Sequence, residues 1–125
     1  MNDDELLDLV NEKDEVIGEV WKSVAHKDPT KIHREVAIVV FNNKSEVLLQ
    51  QRSFKKSHDP GEWKLTAAGH VGKGEDPKDA AIRELEEELG LKTTLKYFGK
   101  KFLTYKKRKR GFSGFIILLC RIGLN

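Results

Sequence analysis

The chain of 125 residues contains a single cysteine, Cys120, which excludes an intrachain disulfide. That cysteine closes the apolar run "FIILLC", where a buried, inert thiol is expected rather than a reactive one. No run approaches the roughly 18 apolar residues of a membrane span. The first ten residues, "MNDDELLDLV", are acidic where a secretory signal would be basic. These absences lead to the expectation of a cytoplasmic protein that does not engage a membrane. A strong excess of either charge is also lacking: a net charge of +3 is too mild to identify a partner. There is no internal repeat and no low-complexity linker. With 38% apolar and 34% charged residues, the composition suits one globular domain over residues 1–125, with one core.

What is present reads mostly as strands. "EVIGEVWKSVAH" opens with an apolar–polar alternation that predicts a short strand within an N-terminal extension, residues 1–30. "EVAIVVFNNKSEVLLQQRS" predicts a hairpin, because two β-rich runs flank the turn residues "NNKS". "SHDPGEW" is a loop punctuated by Pro60 and Gly61. "LKYFGKKFLTYKK" predicts a strand with a bulge at Gly99, and "GFSGFIILLC" a buried strand.

One helix is clear, from Pro77 to Leu89. Asp76 is a good N-cap, Pro77 at the first position gives up no needed hydrogen bond, and Asp79 suits the positive end of the helix dipole. Gly90 ends the helix as a left-handed cap. Ile82, Leu85 and Leu89, widened by Ala81, form the expected buried stripe. On another face lie Glu84, Glu87 and Glu88. At 100° per residue, Glu88 sits about 40° from Glu84 and Glu87 about 60° on the other side, while Glu86 faces away. Like charges at this spacing repel by about 0.2–0.5 kcal/mol per pair, so stability alone gives no reason to group them. Two readings follow: a solvated acidic face, or three oxygen donors for a hard cation such as Mg²⁺ or Mn²⁺. Arg83, four residues from Glu87, can pair with it or with Glu75.

The loop ahead of this helix, "GHVGKG", holds Gly69, Gly72 and Gly74, which allow close backbone approach to a ligand. It does not match the phosphate-cradling pattern G-x-x-x-x-G-K-[S/T]. A glycine loop running into an acidic helix suits a metal-bridged phosphate better than direct anion capture.

The segment from Gly69 to Leu91, "GHVGKGEDPKDAAIRELEEELGL", resembles the Nudix box, G-x5-E-x7-R-E-U-x-E-E-x-G-U with U apolar. Every fixed position is filled: Gly69, Glu75, Arg83, Glu84, Leu85, Glu87, Glu88, Gly90 and Leu91. The resemblance implies a Nudix fold of α/β (α+β) class, a mixed β-sheet sandwiched between helices. It implies an enzyme that hydrolyses the diphosphate linkage of a nucleoside diphosphate joined to another group X, with Mg²⁺ or Mn²⁺. Carried over by position, Glu84, Glu87 and Glu88 resemble metal ligands and catalytic residues. Glu84 is also a candidate base, and the Gly69 carbonyl a further ligand. Glu75 and Arg83 resemble a structural ion pair.

The flanks "LVNEKDEVIGEV", "HREVAIVVFNNKSEVLLQQRS" and "HDPGEWKLTAAGHV" are similar to the branch that includes type 1 isopentenyl diphosphate isomerase, together with hydrolases. In that isomerase a catalytic cysteine precedes the box, and here Ala67 and Ala68 match; its later strand carries a glutamate, and "GFSGFIILLC" offers none. The isomerase's box is usually degenerate, whereas this one is complete. These departures favour hydrolase over isomerase. His26, His33 and His70 fall where the isomerase's metal histidines would match, although the later carboxylate is missing. The plainer reading has His33 opening a strand and His70 ordering the loop; His70 is also a candidate substrate contact.

Two features remain. "KKRKR", Lys106 to Arg110, is either a solvated hairpin turn or a grip for a phosphate-rich substrate or RNA. Trp63 either walls the cleft and stacks on a base, or belongs to the core. A nucleic-acid-binding module on a Nudix scaffold is thus a third reading, against which the intact carboxylates argue. Nudix domains usually add a strand and a C-terminal helix after the counterpart of "FIILLC"; the expectation is that these are lacking here, or that the chain is cut short. That would leave a sheet face or edge for a partner chain, and a homodimer is among the expectations.

Overall fold

The computed structural model describes residues 4–57, 59–107 and 110–123, with the side chains at 105–107, 110 and 112 left aside. The main sheet has six strands. β1 (Leu6–Val10) and β2 (Val16–Trp21) form a hairpin, followed by a short helix, α1 (Lys22–Ala25). β3 (Ile32–Val40) is the centre of the sheet. Along its whole length it runs parallel to β8 (Arg110–Arg121), which pairs antiparallel with β7 (Lys96–Lys107) at the sheet edge. The other side of β3 is shared by β1, at Val10 against Ile32, and β6 (Ala67–His70), at Glu35 to Ile38. The sheet is therefore mixed. β4 (Gln50–Gln51) and β5 (Trp63–Lys64) form a separate two-stranded ladder.

The expected hairpin after β3 is only begun. Its turn forms: Asn42 Oδ1 accepts from the backbone N–H groups of Lys44 and Glu46 at 2.8 and 3.0 Å. The return arm makes one bridge, Val47 to Phe41, and then leaves to build β4. β6 takes that side of β3 from Glu35 to Ile38, and the Thr66 hydroxyl stands between Val40 N–H and the Leu48 carbonyl, so the ladder stops there. The bulge at Gly99 is present as a register shift between Tyr97 and Gly99. The basic run meets the β7–β8 hairpin, where Lys107 faces Arg110, and its side chains lie outside the described residues.

Alternation decides what each strand buries. Val36, Ile38 and Val40 of β3, Ile117 and Leu119 of β8, and Ala67 of β6 share one face. α2 (Pro77–Leu89) lies on that face through Ala80, Ala81 and Leu85, with Ile82 and Leu89 partly buried beside them. α1 packs Ala25 against Leu7 and Val20. Cys120 is buried. The β1–β2 turn is tied to the sheet by Asp14, whose carboxylate accepts from Arg34 Nε at 2.7 Å and Lys100 Nζ at 2.8 Å.

Candidate active site

α2 begins where local chemistry places it. Asp76 accepts from Lys78 N–H at 2.8 Å, Pro77 opens the helix, and Gly90 ends it at φ 67°. Arg83 projects from its middle and makes a two-pronged contact with Glu75: Nε to Oε2 and Nη2 to Oε1, both 3.0 Å. Nη2 also donates to the His70 carbonyl at 3.1 Å, and Glu75 Oε1 accepts from Gly72 N–H at 3.0 Å. The loop from His70 to Glu75 is thereby pinned to the helix. The Arg83 hydrogen bonds, followed in size by an opposing effect of burial, hold the Glu75 carboxyl below its ordinary range.

Arg83 also reaches two of the grouped carboxylates, Glu84 Oε1 at 2.8 Å and Glu87 Oε2 at 3.4 Å. Glu84 lies against Gly69, and a Cβ at that glycine would overlap the Glu84 side chain. Burial pushes the Glu84 carboxyl above its ordinary value; Arg83 opposes this, and the Glu87 and Glu88 charges add to it. Glu88 Oε2 accepts from Gln50 Nε2 at 3.2 Å and from Ala68 N–H at 3.3 Å. Gln50 also donates to the Thr66 carbonyl at 3.0 Å, so it links β4, the approach to β6, and α2. Glu86 faces away and pairs with Lys92 at 3.5 Å. Trp63 is 62% exposed, which removes it from the core.

A second group assembles on the opposite face of β6, because His70 follows Gly69 and points the other way. His26, His33, His70 and Glu35 each offer a ligand atom, and these atoms lie within 4.8 Å of one another. His26 Nε2 and His70 Nε2 share a hydrogen bond at 2.7 Å. Glu35 lies 3.6 Å from His33 and 3.5 Å from His70. Burial pushes His70 down to about 4, against the attraction of Glu35, so its imidazole is neutral at pH 7 and keeps a lone pair for a metal. Burial alone would raise Glu35, but the His33 hydrogen bond and the histidine charges hold it below its ordinary range. The donor set of three imidazoles and one carboxylate fits a divalent metal such as Zn²⁺ or Mn²⁺. The carboxylate missing from the late strand is supplied by Glu35 instead; Ile116 stands across from it on β8. The signal in sequence was the spacing of His33 and Glu35, two apart on one strand and so on one face.

Residues 31–120 match the NUDIX domain. The chain is 42% identical over 90 residues to an isopentenyl-diphosphate Delta-isomerase of Streptomyces avermitilis, a match covering 72% of this chain and 46% of that protein. It is 37% identical over 95 residues to an uncharacterized Nudix hydrolase of Listeria monocytogenes, covering 76% of this chain and 56% of that one. The chain spans about half the length of the isomerases it matches. In structure it is similar to the crystal structure of DR0079 from Deinococcus radiodurans, with a TM-score of 0.75, 25% identity, and coverage of 97% of this chain and 74% of that one. The mixed sheet, the filled loop-and-helix pattern and a match across residues 31–120 agree: the chain belongs to the Nudix family.

Proposed function

We propose that this chain is a Mg²⁺- or Mn²⁺-dependent hydrolase that cleaves the diphosphate linkage of a nucleoside diphosphate joined to a further group X. The observation that carries the reading is the seating of Glu84 against Gly69, on the α2 face that also bears Glu87 and Glu88. Oxygen donors of this kind suit hard cations. A bound cation would neutralise the non-bridging phosphate oxygens and acidify a nearby water. In this reading Glu84, Glu87, Glu88 and the Gly69 carbonyl hold the cation. Glu84 is also the candidate to take the proton from that water. Water adds to one phosphorus, the bridging oxygen leaves with the other phosphoryl group, and the water's proton passes to the carboxylate. Glu75 and Arg83 hold the loop, Gln50 orients Glu88, and Trp63 offers an exposed ring to group X. No helix among the described residues is long and apolar enough to cross a membrane, and the reading takes the substrate as a small molecule met in the cytoplasm.

The isomerase relatives and the His26–His33–Glu35–His70 group favour a second reading, isomerisation of isopentenyl diphosphate. Against it, Ala67 and Ala68 carry no thiol, and β8 presents Ile116 where a carboxylate would face Glu35. The test is a screen of diphosphate compounds with Mg²⁺, isopentenyl diphosphate included, with products identified by mass. Hydrolysis products are expected, abolished by chelator and cut by orders of magnitude in Glu87→Gln and Glu88→Gln. Dimethylallyl diphosphate formed at about 1 s⁻¹ or faster would favour the isomerase instead.

A further inference from the structure

Away from the carboxylates, a cavity of about 480 Å³ lies between α2 and the start of β7, lined by Lys78, Lys96, Arg121, Thr94, Tyr97 and apolar atoms of Leu95, Cys120 and Ile122. The cations Lys78 and Arg121 line it, and among the described residues no carboxylate does. Lysine ion pairs among the described residues belong to Lys22, Lys73, Lys92 and Lys100, not to Lys78 or Lys96. Arg121 donates from Nη1 to Thr94 Oγ1 at 3.1 Å, while its Nε is buried and meets no acceptor among the described residues. Pairing of Arg121 with Val40, and of Tyr97 with Leu119, puts both side chains on the sheet face that carries α2. Lys78 reaches the same cavity from the first turn of α2, about 120° round the helix from Glu84. The two sites therefore look in different directions.

We infer that this cavity is a second ligand site, for a phosphate monoester carrying a flat or apolar body. The phosphate would meet Arg121 and Lys78, and bidentate contact with a guanidinium is the strongest available geometry. The body would lie against Tyr97 and the apolar floor. Its place on the far side of α2 makes it independent of the metal chemistry, so it can be probed with metal removed.

Calorimetric titration of the full chain in chelator, with AMP, inorganic phosphate and adenosine as probes, tests this. AMP should bind at about 1 mM or tighter, and more tightly than phosphate or adenosine. Lys78→Gln and Arg121→Gln should each weaken AMP by about tenfold or more. Should Arg121→Gln fail to fold, Lys78→Gln decides alone, because Lys78 is exposed and makes no ion pair among the described residues. Absence of AMP binding at about 10 mM, phosphate binding as tightly as AMP, or parent-like affinity in Lys78→Gln overturns the inference.

Discussion

At the scale of single residues, the contact with most leverage is Arg83 with Glu75. Five hydrogen bonds leave this one guanidinium, to Glu75 twice, the His70 carbonyl, Glu84 and Glu87. Removing it frees the glycine loop and leaves the half-buried Glu84 beside two other carboxylates without its counter-charge. Arg83→Ala should therefore destabilise the protein by about 1–3 kcal/mol. The pair should also be visible in pH dependence. Glu75 titrates below its ordinary range when folded, so its contribution is complete above the unfolded-state value and is lost as pH falls through the folded one. Melting of parent and Glu75→Gln should differ clearly near neutral pH and converge as the pH falls below the ordinary carboxylate range. A gap that persists in acid would mean that the contact acts through packing rather than charge. If Arg83→Ala melts like the parent yet loses turnover, Arg83 serves the substrate and not the loop.

At the scale of elements, α2 was legible in full because every signal that fixes it is local. Asp76, Pro77 and Gly90 act within one turn of themselves, and the spacing of Ala81, Leu85 and Leu89 marks the buried side. β1 and β6 were not legible: "LLDLV" is short and follows an acidic stretch, and "AAGH" lacks the bulky side chains that signal a strand. The return arm after β3 looked like a strand and mostly is not, because neighbours distant in sequence, β6 and the Thr66 hydroxyl, take its place beside β3. The same non-locality hid Gln50, whose partner Glu88 is 38 residues away. Leu85 marks where α2 meets the sheet: it is fully buried with Val36, Ile38 and Leu119 in one cluster. Leu85→Ala should cost about 2–5 kcal/mol in denaturant unfolding. A loss under about 1 kcal/mol would mean that α2 is not packed as described.

At the scale of the whole molecule, β6 separates two groups of candidate ligands of different chemistry. Toward α2 lie the carboxylates of Glu84, Glu87 and Glu88 with the Gly69 backbone; on the other face lie three imidazoles and Glu35. The first set was legible as a pattern of spacing on one helix. The second was half legible: the histidines stand out, but they come from α1's end, β3 and β6, and only the folded sheet brings Glu35 to them. Ligand softness separates the sets: oxygen donors favour Mg²⁺, whereas imidazoles favour Zn²⁺. A cation that binds only the folded chain stabilises it by about 2.7 kcal/mol at a hundredfold excess over Kd, which is roughly 10 °C in melting temperature for a domain of this size. Melting followed against each metal should thus give two independent responses. The Mg²⁺ shift should vanish in Glu88→Gln and survive in His26→Ala; the Zn²⁺ shift should weaken in His26→Ala. If Mg²⁺ leaves the parent's melting unchanged, or shifts Glu88→Gln as much as the parent, the carboxylates do not hold the cation. The hydrolase reading then loses its support, and the isomerase reading, which leans on the imidazole group, gains it.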